Sequence, residues 1–179
     1  VGRMPKPFVS TELMFWEDIN MDGAAATLRR KLDESSDLFL TGGAFLVQKS
    51  PSSPTTPNPK TKSLLALQLG GSVEVTTSTR FNAALGYYDY QNIEGIPNAS
   101  LNSREFDWSA PQFRQKGNTL FNIDNDGDPT TNTFALASKF KIVDLNVSAD
   151  LAHFDPYIVR LSGNYLQNIG FDRDEVRAR

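Results

Sequence analysis

Cysteine is absent from the 179 residues, and with it go disulfides, thiolate chemistry and cysteine metal sites. Long apolar runs are missing too. The longest windows, such as Leu64 to Leu69, are interrupted by Gln68 and closed by Gly70-Gly71, far short of a transmembrane helix. Basic residues do not dominate: 18 Lys and Arg against 21 Asp and Glu leave a net charge of −3. That balance argues against a general nucleic-acid binder, which needs a clustered basic excess. Val1-Gly2-Arg3 opens the chain without the apolar core of a signal peptide, so the start is read as that of a mature product or of a piece of something longer.

What is present is alternation. From Phe134 to Leu166 the residues read as three strands joined by two tight turns. Phe134, Leu136, Phe140, Ile142, Leu145, Val147, Ala149, Leu151, Tyr157, Val159, Leu161 and Tyr165 are assigned to one face at period two. Lys139, Lys141, Asn146, Ser148, Asp150, Arg160, Ser162 and Asn164 take the other. A two-residue turn at Val143-Asp144 would pair Ile142 with Leu145, and a three-residue turn at Phe154-Asp155-Pro156 would pair His153 with Tyr157. The second register sets Asp150 opposite Arg160, Ser148 opposite Ser162 and Asn146 opposite Asn164, favourable cross-strand pairs of about 0.2–1 kcal/mol each.

The same pattern recurs upstream. Leu65, Leu67, Leu69, Val73 and Val75 share a face that Phe81, Ala83, Leu85 and Tyr87 match, and a turn at Thr76-Thr77-Ser78 places Glu74 opposite Arg80. Strands are expected near 10–17, 23–32, 37–48, 63–75, 79–90, 134–142, 144–153 and 157–167, with long loops at 49–62 and 91–133. For 37–48 periodicity does not choose a face, since Leu38 and Leu40 oppose Phe39 and Phe45. Residues 2–8 hold two prolines and read as an extended connector; the proline-rich 50–60 reads as a solvated loop.

A content of 39% hydrophobic and 22% charged residues looks soluble, but a membrane barrel also keeps average hydropathy low by hiding apolar residues at every second position. Strand lengths suit a tilted crossing of a bilayer, and short turns broadly alternate with long links. Tyr87, Phe134 and Tyr157 are placed at one rim, and Phe81, Phe140 and Tyr165 at the other. The expected fold is all-β: an antiparallel up-and-down transmembrane β-barrel, or an open part of one, with about eight strands in a single segment.

Four stretches, GRMPKPF at 2–8, YYDYQNIEG at 87–95, APQFRQKGNTLFNID at 110–124 and FDPYIVRLSGNYLQNIGFDRDEV at 154–176, resemble a porin family of Gram-negative outer membranes. The resemblance implies a barrel that lets small hydrophilic solutes or ions cross the outer membrane passively. Members are longer, so the chain is expected to be a fragment of a larger barrel.

Pore-lining candidates are Glu74, Arg80, Lys139, Lys141, Asp150 and Arg160, with Arg114 and Lys116 if the 91–133 loop folds inward. Glu74 with Arg80 and Asp150 with Arg160 read as structural pairs, leaving Lys139 and Lys141 as the unpaired cations and a bias toward anions. Asn122, Asp124, Asp126 and Asp128 fit the first half of a calcium loop, but no closing bidentate acid follows, so only a weak Ca²⁺ site is expected and otherwise no cofactor. His153 takes the lipid-facing parity and has no partnered nucleophile, so no enzyme is expected. The implied partners are outer-membrane lipid and small solutes or ions, not nucleic acid, with a homo-oligomer open. The rival reading is a structural or adhesive outer-membrane barrel that displays its loops.

Overall fold

The computed structural model describes residues 1–113, 117–128, 130–154 and 156–179. In chain order the strands are β1 (Gly2–Pro5), β2 (Asn20–Lys31), β3 (Ser36–Gln48), β4 (Lys62–Thr76), β5 (Thr79–Gln91), β6 (Leu120–Asn122), β7 (Phe134–Leu136), β8 (Phe140–Phe154) and β9 (Tyr157–Asn168), followed by a short helix, α1 (Arg173–Arg177). Seven strands form one antiparallel sheet in the order β1-β2-β3-β4-β5-β8-β9, and β6 pairs with β7 separately. Each strand of the large sheet lies beside its neighbour in sequence, apart from the excursion that carries β6 and β7. The fold is all-β and up-and-down, an open part of a barrel with β1 and β9 at its edges. Two compact units emerge: Val1–Phe45, Leu65–Asp89 and Ile142–Asn168 form the first, and Leu46–Leu64, Tyr90–Lys141 and Ile169–Arg179 the second.

The largest departure from the sequence expectation is at Val143-Asp144, where no turn occurs. β8 runs unbroken through it, and Phe134–Leu136 belongs to the small sheet. Val, β-branched, resists the left-handed backbone that a two-residue hairpin loop needs at its first position. Asp144 is instead a wall residue, fully buried, accepting hydrogen bonds from the Nδ2 atoms of Asn146 at 2.9 Å and Asn164 at 2.5 Å. Along the continuous strand Lys141 shares the parity of Val143, Leu145 and Val147, not that of Asp144 and Asn146.

Removing that turn also reverses the direction of the strand. Ala152 N–H donates to Ser78 O at 2.8 Å, and Thr79 meets His153, so β8 ends where β5 begins. Phe81 and Tyr157 therefore lie toward the same end of the sheet, while Leu145 faces Tyr165 nearer the other. The rim assignment that joined Tyr157 to Tyr87 is overturned. In exchange the connections alternate without exception: long at 6–19, short at 32–35, long at 49–61, short at 77–78, long at 92–139, and short between Phe154 and Tyr157. That is the pattern of outer-membrane barrels.

Three smaller corrections follow. Residues 10–17 form no strand but turn back on themselves, with Phe15 N–H bonded to Thr11 O at 3.1 Å. Residues 2–5, expected as a connector, form an edge strand on β2, a place where proline is tolerated. The β4–β5 link is Thr77-Ser78, one residue shorter than expected.

The register derived for β8 and β9 is the one observed: Asn146 opposite Asn164, Ser148 opposite Ser162, Asp150 opposite Arg160. The strands close with Phe154, not His153, opposite Tyr157, and an irregularity between Leu151 and Phe154 absorbs the difference.

Within the first unit the sidedness is the reverse of a soluble sheet. Leu65, Leu67, Leu69, Val73 and Val75 of β4, Phe81, Leu85 and Tyr87 of β5, and Leu145 and Val147 of β8 are exposed. Gln68, Thr41, Asp144 and Asn146 are buried on the opposite, polar face. There aromatic rings lie against glycines. The ring of Phe39 occupies the space a Cβ at Gly70 would need, with its nearest atom 2.4 Å from that position, and Tyr88 covers Gly86 in the same way at 2.6 Å. β3 is thereby oriented, with Phe39, Thr41 and Phe45 on the polar face and Leu38 and Leu40 on the apolar one.

Cysteines introduced at Ser148 and Ser162 should be joined by a short thiol cross-linker in the folded protein, whereas Ser148→Cys with Leu161→Cys should not, because a one-residue slip turns the side chain to the other face. Peptide mass mapping after cross-linking reads the register directly.

Candidate functional site

The polar face of the first unit carries two neighbouring clusters of charged and amide side chains across five strands. Starting on β3, Asp37 accepts a hydrogen bond from Ser72 Oγ of β4 at 2.6 Å. Arg80 of β5 donates to the same hydroxyl at 2.9 Å and lies 3.5 Å from Asp37 and 3.6 Å from Glu74. Two residues along β5, Asn82 begins the second cluster, donating to Ser148 at 3.2 Å and Asp150 at 3.3 Å on β8. Arg160 of β9 closes it with a fork on Asp150, its Nη2 donating to Oδ2 at 3.0 Å. Alternation puts all these groups on one face, and the short turns bring their levels together.

Both pairings expected from the sequence, Glu74 with Arg80 and Asp150 with Arg160, are present. Asp37 and Asn82 are the links that sequence reasoning did not name as site residues. Asp37 was hidden because β3 has large apolar residues on both faces, so its parity was unreadable.

The network borders an open cavity of about 510 Å³, whose lining includes Arg29, Asp37, Arg80, Asp150 and Arg160. Arg29 stacks over the ring of Phe39 at 5.6 Å. Arg29, Arg80 and Arg160 are matched by Asp37, Glu74 and Asp150, so the belt is balanced and not cationic. Ion pairs this exposed add little to stability; their effect is a fixed pattern of charge along the wall.

Above the belt the polar face is covered by the chain itself. Phe8 and Phe15 are buried against Tyr88, each edge-on with centroids 5.3 Å away, and Phe8 also meets Phe45 at 5.8 Å. Gln68, fully buried, clamps the backbone of Val9 at both ends, accepting from its N–H at 2.9 Å and donating to its C=O at 2.6 Å. Thr11 donates to Asn164 at 3.0 Å. Period-two reasoning missed this segment because Phe8 was read as the end of an extended connector and Phe15 as part of a strand at 10–17, so nothing brought the two rings together.

The remaining candidates are dispersed. Lys139 lies in the second unit, 3.8 Å from Glu94 and 3.4 Å from Glu175, so the expected lack of a partner is corrected by two carboxylates. Lys141 contributes its backbone carbonyl to Ile169 N–H at 2.8 Å. Arg114 and Lys116 lie outside the described residues. His153 Nε2 is 2.8 Å from Thr79 Oγ1; its sequence neighbour Asp155 is outside the described residues.

The carboxylates of 122–128 turn toward nearby donors. Asp126 receives the Asp128 N–H at 2.8 Å and the Thr131 hydroxyl at 2.6 Å, and Asn122 Oδ1 receives the Asp124 N–H at 3.1 Å. The Thr130 hydroxyl and N–H hold the Asp128 carboxyl below its usual pKa. Among the described residues no group of three acids or histidines converges as a metal site would.

In the second unit Arg179 ties several elements together. It donates to Gly95 O at 2.8 Å and Glu175 at 3.1 Å, pairs with Glu94, and stacks on Phe121 at 4.7 Å. Burial pushes the Glu94 carboxyl up, with Arg179 and Lys139 pulling it back, while the hydrogen bond from Arg179 holds Glu175 down. Lys62 is buried, its ammonium on the carbonyls of Ser109 at 3.0 Å and Ala110 at 2.7 Å. Asn98, likewise buried, donates to Asp107 at 2.8 Å and accepts from Phe106 N–H at 2.9 Å. These contacts give the long 92–139 connection a folded interior.

Fold and face together define a segment of an up-and-down barrel with an apolar exterior and a charged, hydrogen-bonded wall. A model of the family described as "Putative porin" matches residues 1–179, the whole chain, and the chain belongs to that family. No curated protein and no solved structure matches it.

Arg179→Ala should speed proteolysis within 90–141 at neutral pH, because Glu94 keeps its burial and loses its strongest cation. A carboxyl whose folded pKa is raised destabilises the fold as pH rises through the interval between its unfolded and folded values, and spares it below that interval. The variant's deficit should therefore shrink on acidification through the carboxylate range, measured as cleavage rate against pH beside the wild type.

Proposed function

We propose that this chain supplies part of the wall of a passive diffusion channel of the bacterial outer membrane, admitting ions or small hydrophilic solutes. The observation that carries the reading is the sidedness of β4, β5 and β8: a continuous exposed apolar face backed by a polar face that holds a balanced belt of charge. Hydrocarbon is the medium that would leave such an apolar face exposed without cost, and water is the medium the other face suits. Membership of a porin family supports the same conclusion. Outer-membrane lipid is then the partner of the apolar face, and the long connections are those facing the cell exterior.

Reconstituted into a planar bilayer, the full-length protein should give discrete current steps. No current through a barrel shown by protease protection to be inserted would overturn the channel reading; selective ligand binding by such a silent barrel would favour the structural or adhesive role instead.

Selectivity gives a separate test. Since the belt is balanced, the wild type should discriminate weakly between cations and anions, and the double change Arg80→Gln with Arg160→Gln should move the reversal potential in a salt gradient toward cation preference. An unmoved potential with intact conductance would mean that the belt does not face the ion path.

A further inference from the structure

We infer that the apolar face carries a binding site for a membrane phospholipid, with its phosphate held by Arg30 and an acyl chain lying in the groove beside it. The inference rests on the reading above that this face meets the hydrocarbon of the outer membrane; it does not need the barrel to conduct.

The groove is a dent in the exposed apolar face. Its volume is about 710 Å³, and its floor includes Gly71 of β4, Ala83 of β5 and Gly163 of β9. Leu38, Phe81 and Leu161 stand around that floor, and all of these residues have the apolar parity of their strands. A Cβ added at Gly163 would meet only the Val147 side chain, at 3.4 Å, so the space above it is open. Small residues among large ones thus leave a hollow that an alkyl chain can fill.

Arg30 supplies the charge. Thr27 bonds Thr41 at 3.0 Å and Arg29 stacks over Phe39, so both lie on the polar face; alternation turns Leu28 and Arg30 to the apolar one. The Thr27–Thr41 contact and the Leu32 N–H bond to Ser36 O at 3.0 Å fix a register that sets Arg30 opposite Leu38. A smaller hollow of about 160 Å³ is bordered by Arg30, Leu38 and Leu69, and so adjoins the groove at Leu38. Among the described residues the Arg30 guanidinium has no ion pair and no hydrogen bond, whereas Arg80 and Arg160 are both paired.

The level of Arg30 suits a headgroup. It stands one residue from the end of β2, on the side of the short connections, and Phe81 and Tyr157 are exposed toward that same end, as aromatics at a membrane interface are. A cation on a lipid-facing strand is tolerated there, where its head reaches phosphate, and a guanidinium fork takes two phosphate oxygens at once. Short connections face the periplasm, the side on which the outer membrane presents phospholipid. A second copy of the chain fits this face less well. The acids of apolar parity in β2 and β5, Asp22 and Asp89, lie toward the other end of their strands, and a neighbour inserted in the same sense cannot bring either to Arg30.

The full-length protein, purified in a non-ionic detergent and given dioleoyl phosphatidylglycerol, should hold one lipid in native mass spectrometry. Arg30→Gln should lower that retention by about tenfold, the loss of a charge-assisted contact. Ala83→Leu, which fills the groove from an exposed position, should lower it as well. Lys31→Gln, one position along on the other face, should leave it unchanged. Dioleoylglycerol, with the same chains and no phosphate, should be held no better by the wild type than by Arg30→Gln.

Equal retention of phosphatidylglycerol by the wild type and by either Arg30→Gln or Ala83→Leu would overturn the site. An equal loss in Lys31→Gln would also overturn it, showing only a general attraction of the rim for anionic lipid. A dimer that Ala83→Leu dissociates would give the groove to a second copy. Insertion into vesicles, read by protease protection, separates the remaining cases: a wild type that does not insert would overturn the membrane reading together with the site, whereas insertion without retained lipid would overturn the site alone.

Discussion

The structure depends on one constraint: a strand presents its side chains alternately to two sides, and here the apolar side is the exposed one and the polar side the covered one. Once β4 puts Leu65, Leu67 and Leu69 on the exposed side, Ala66, Gln68 and Gly70 must occupy the covered side, and hydrogen bonding carries the same choice to β3 and β5. No separate interaction is needed to orient each strand. Small side chains on the polar face then leave room for rings, and the rings of Phe39 and Tyr88 take up the space that Gly70 and Gly86 lack the atoms to fill. Packing of the polar side is thus a consequence of glycine placement as much as of hydrophobic attraction.

Much of this was legible in the sequence wherever two strands were joined by a short link and carried charge. Asp150 with Arg160 and Glu74 with Arg80 were readable because only one register sets opposite charges face to face, and a slip would have put a charge among leucines. Where length had to be inferred from a turn, reading failed. The alternation of Phe140, Ile142, Leu145 and Val147 changes parity between Ile142 and Leu145, and a hairpin there kept every apolar residue on one face. The protein instead keeps one long strand and lets Phe140 and Ile142 share the polar side with Asp144, which hydrogen bonding makes affordable.

The covering of the polar face was not legible, for a different reason. Alternation reports which side of a strand is apolar, and it carries no information about an irregular segment that crosses another strand's face. Residues 8–15 hold two aromatic anchors separated by a tight turn, and a contact such as Gln68 with Val9 spans 59 positions of sequence. Likewise Arg179 reaches Gly95 and Glu94 from 84 and 85 residues away. Neither relation leaves a periodic trace.

Long-range closure of this kind bears on how charge can persist on a covered wall. Each of these side chains keeps part of its surface accessible, so the wall removes only part of its hydration. Held in two clusters, Asp37 with Ser72 and Arg80, and Asn82 with Asp150 and Arg160, each formal charge meets an opposite charge or a neutral donor within 3.6 Å. The guanidinium of Arg160 keeps 68% of its side-chain surface accessible, whereas the Asp150 carboxylate beneath it keeps 18%. The acid is therefore the braced member and the base the one turned toward the open cavity. At the Arg80–Glu74 pair the two exposures are nearly equal, 46% and 49%, so the relative depth of base and acid differs from pair to pair along the wall, and a count of charges does not report it.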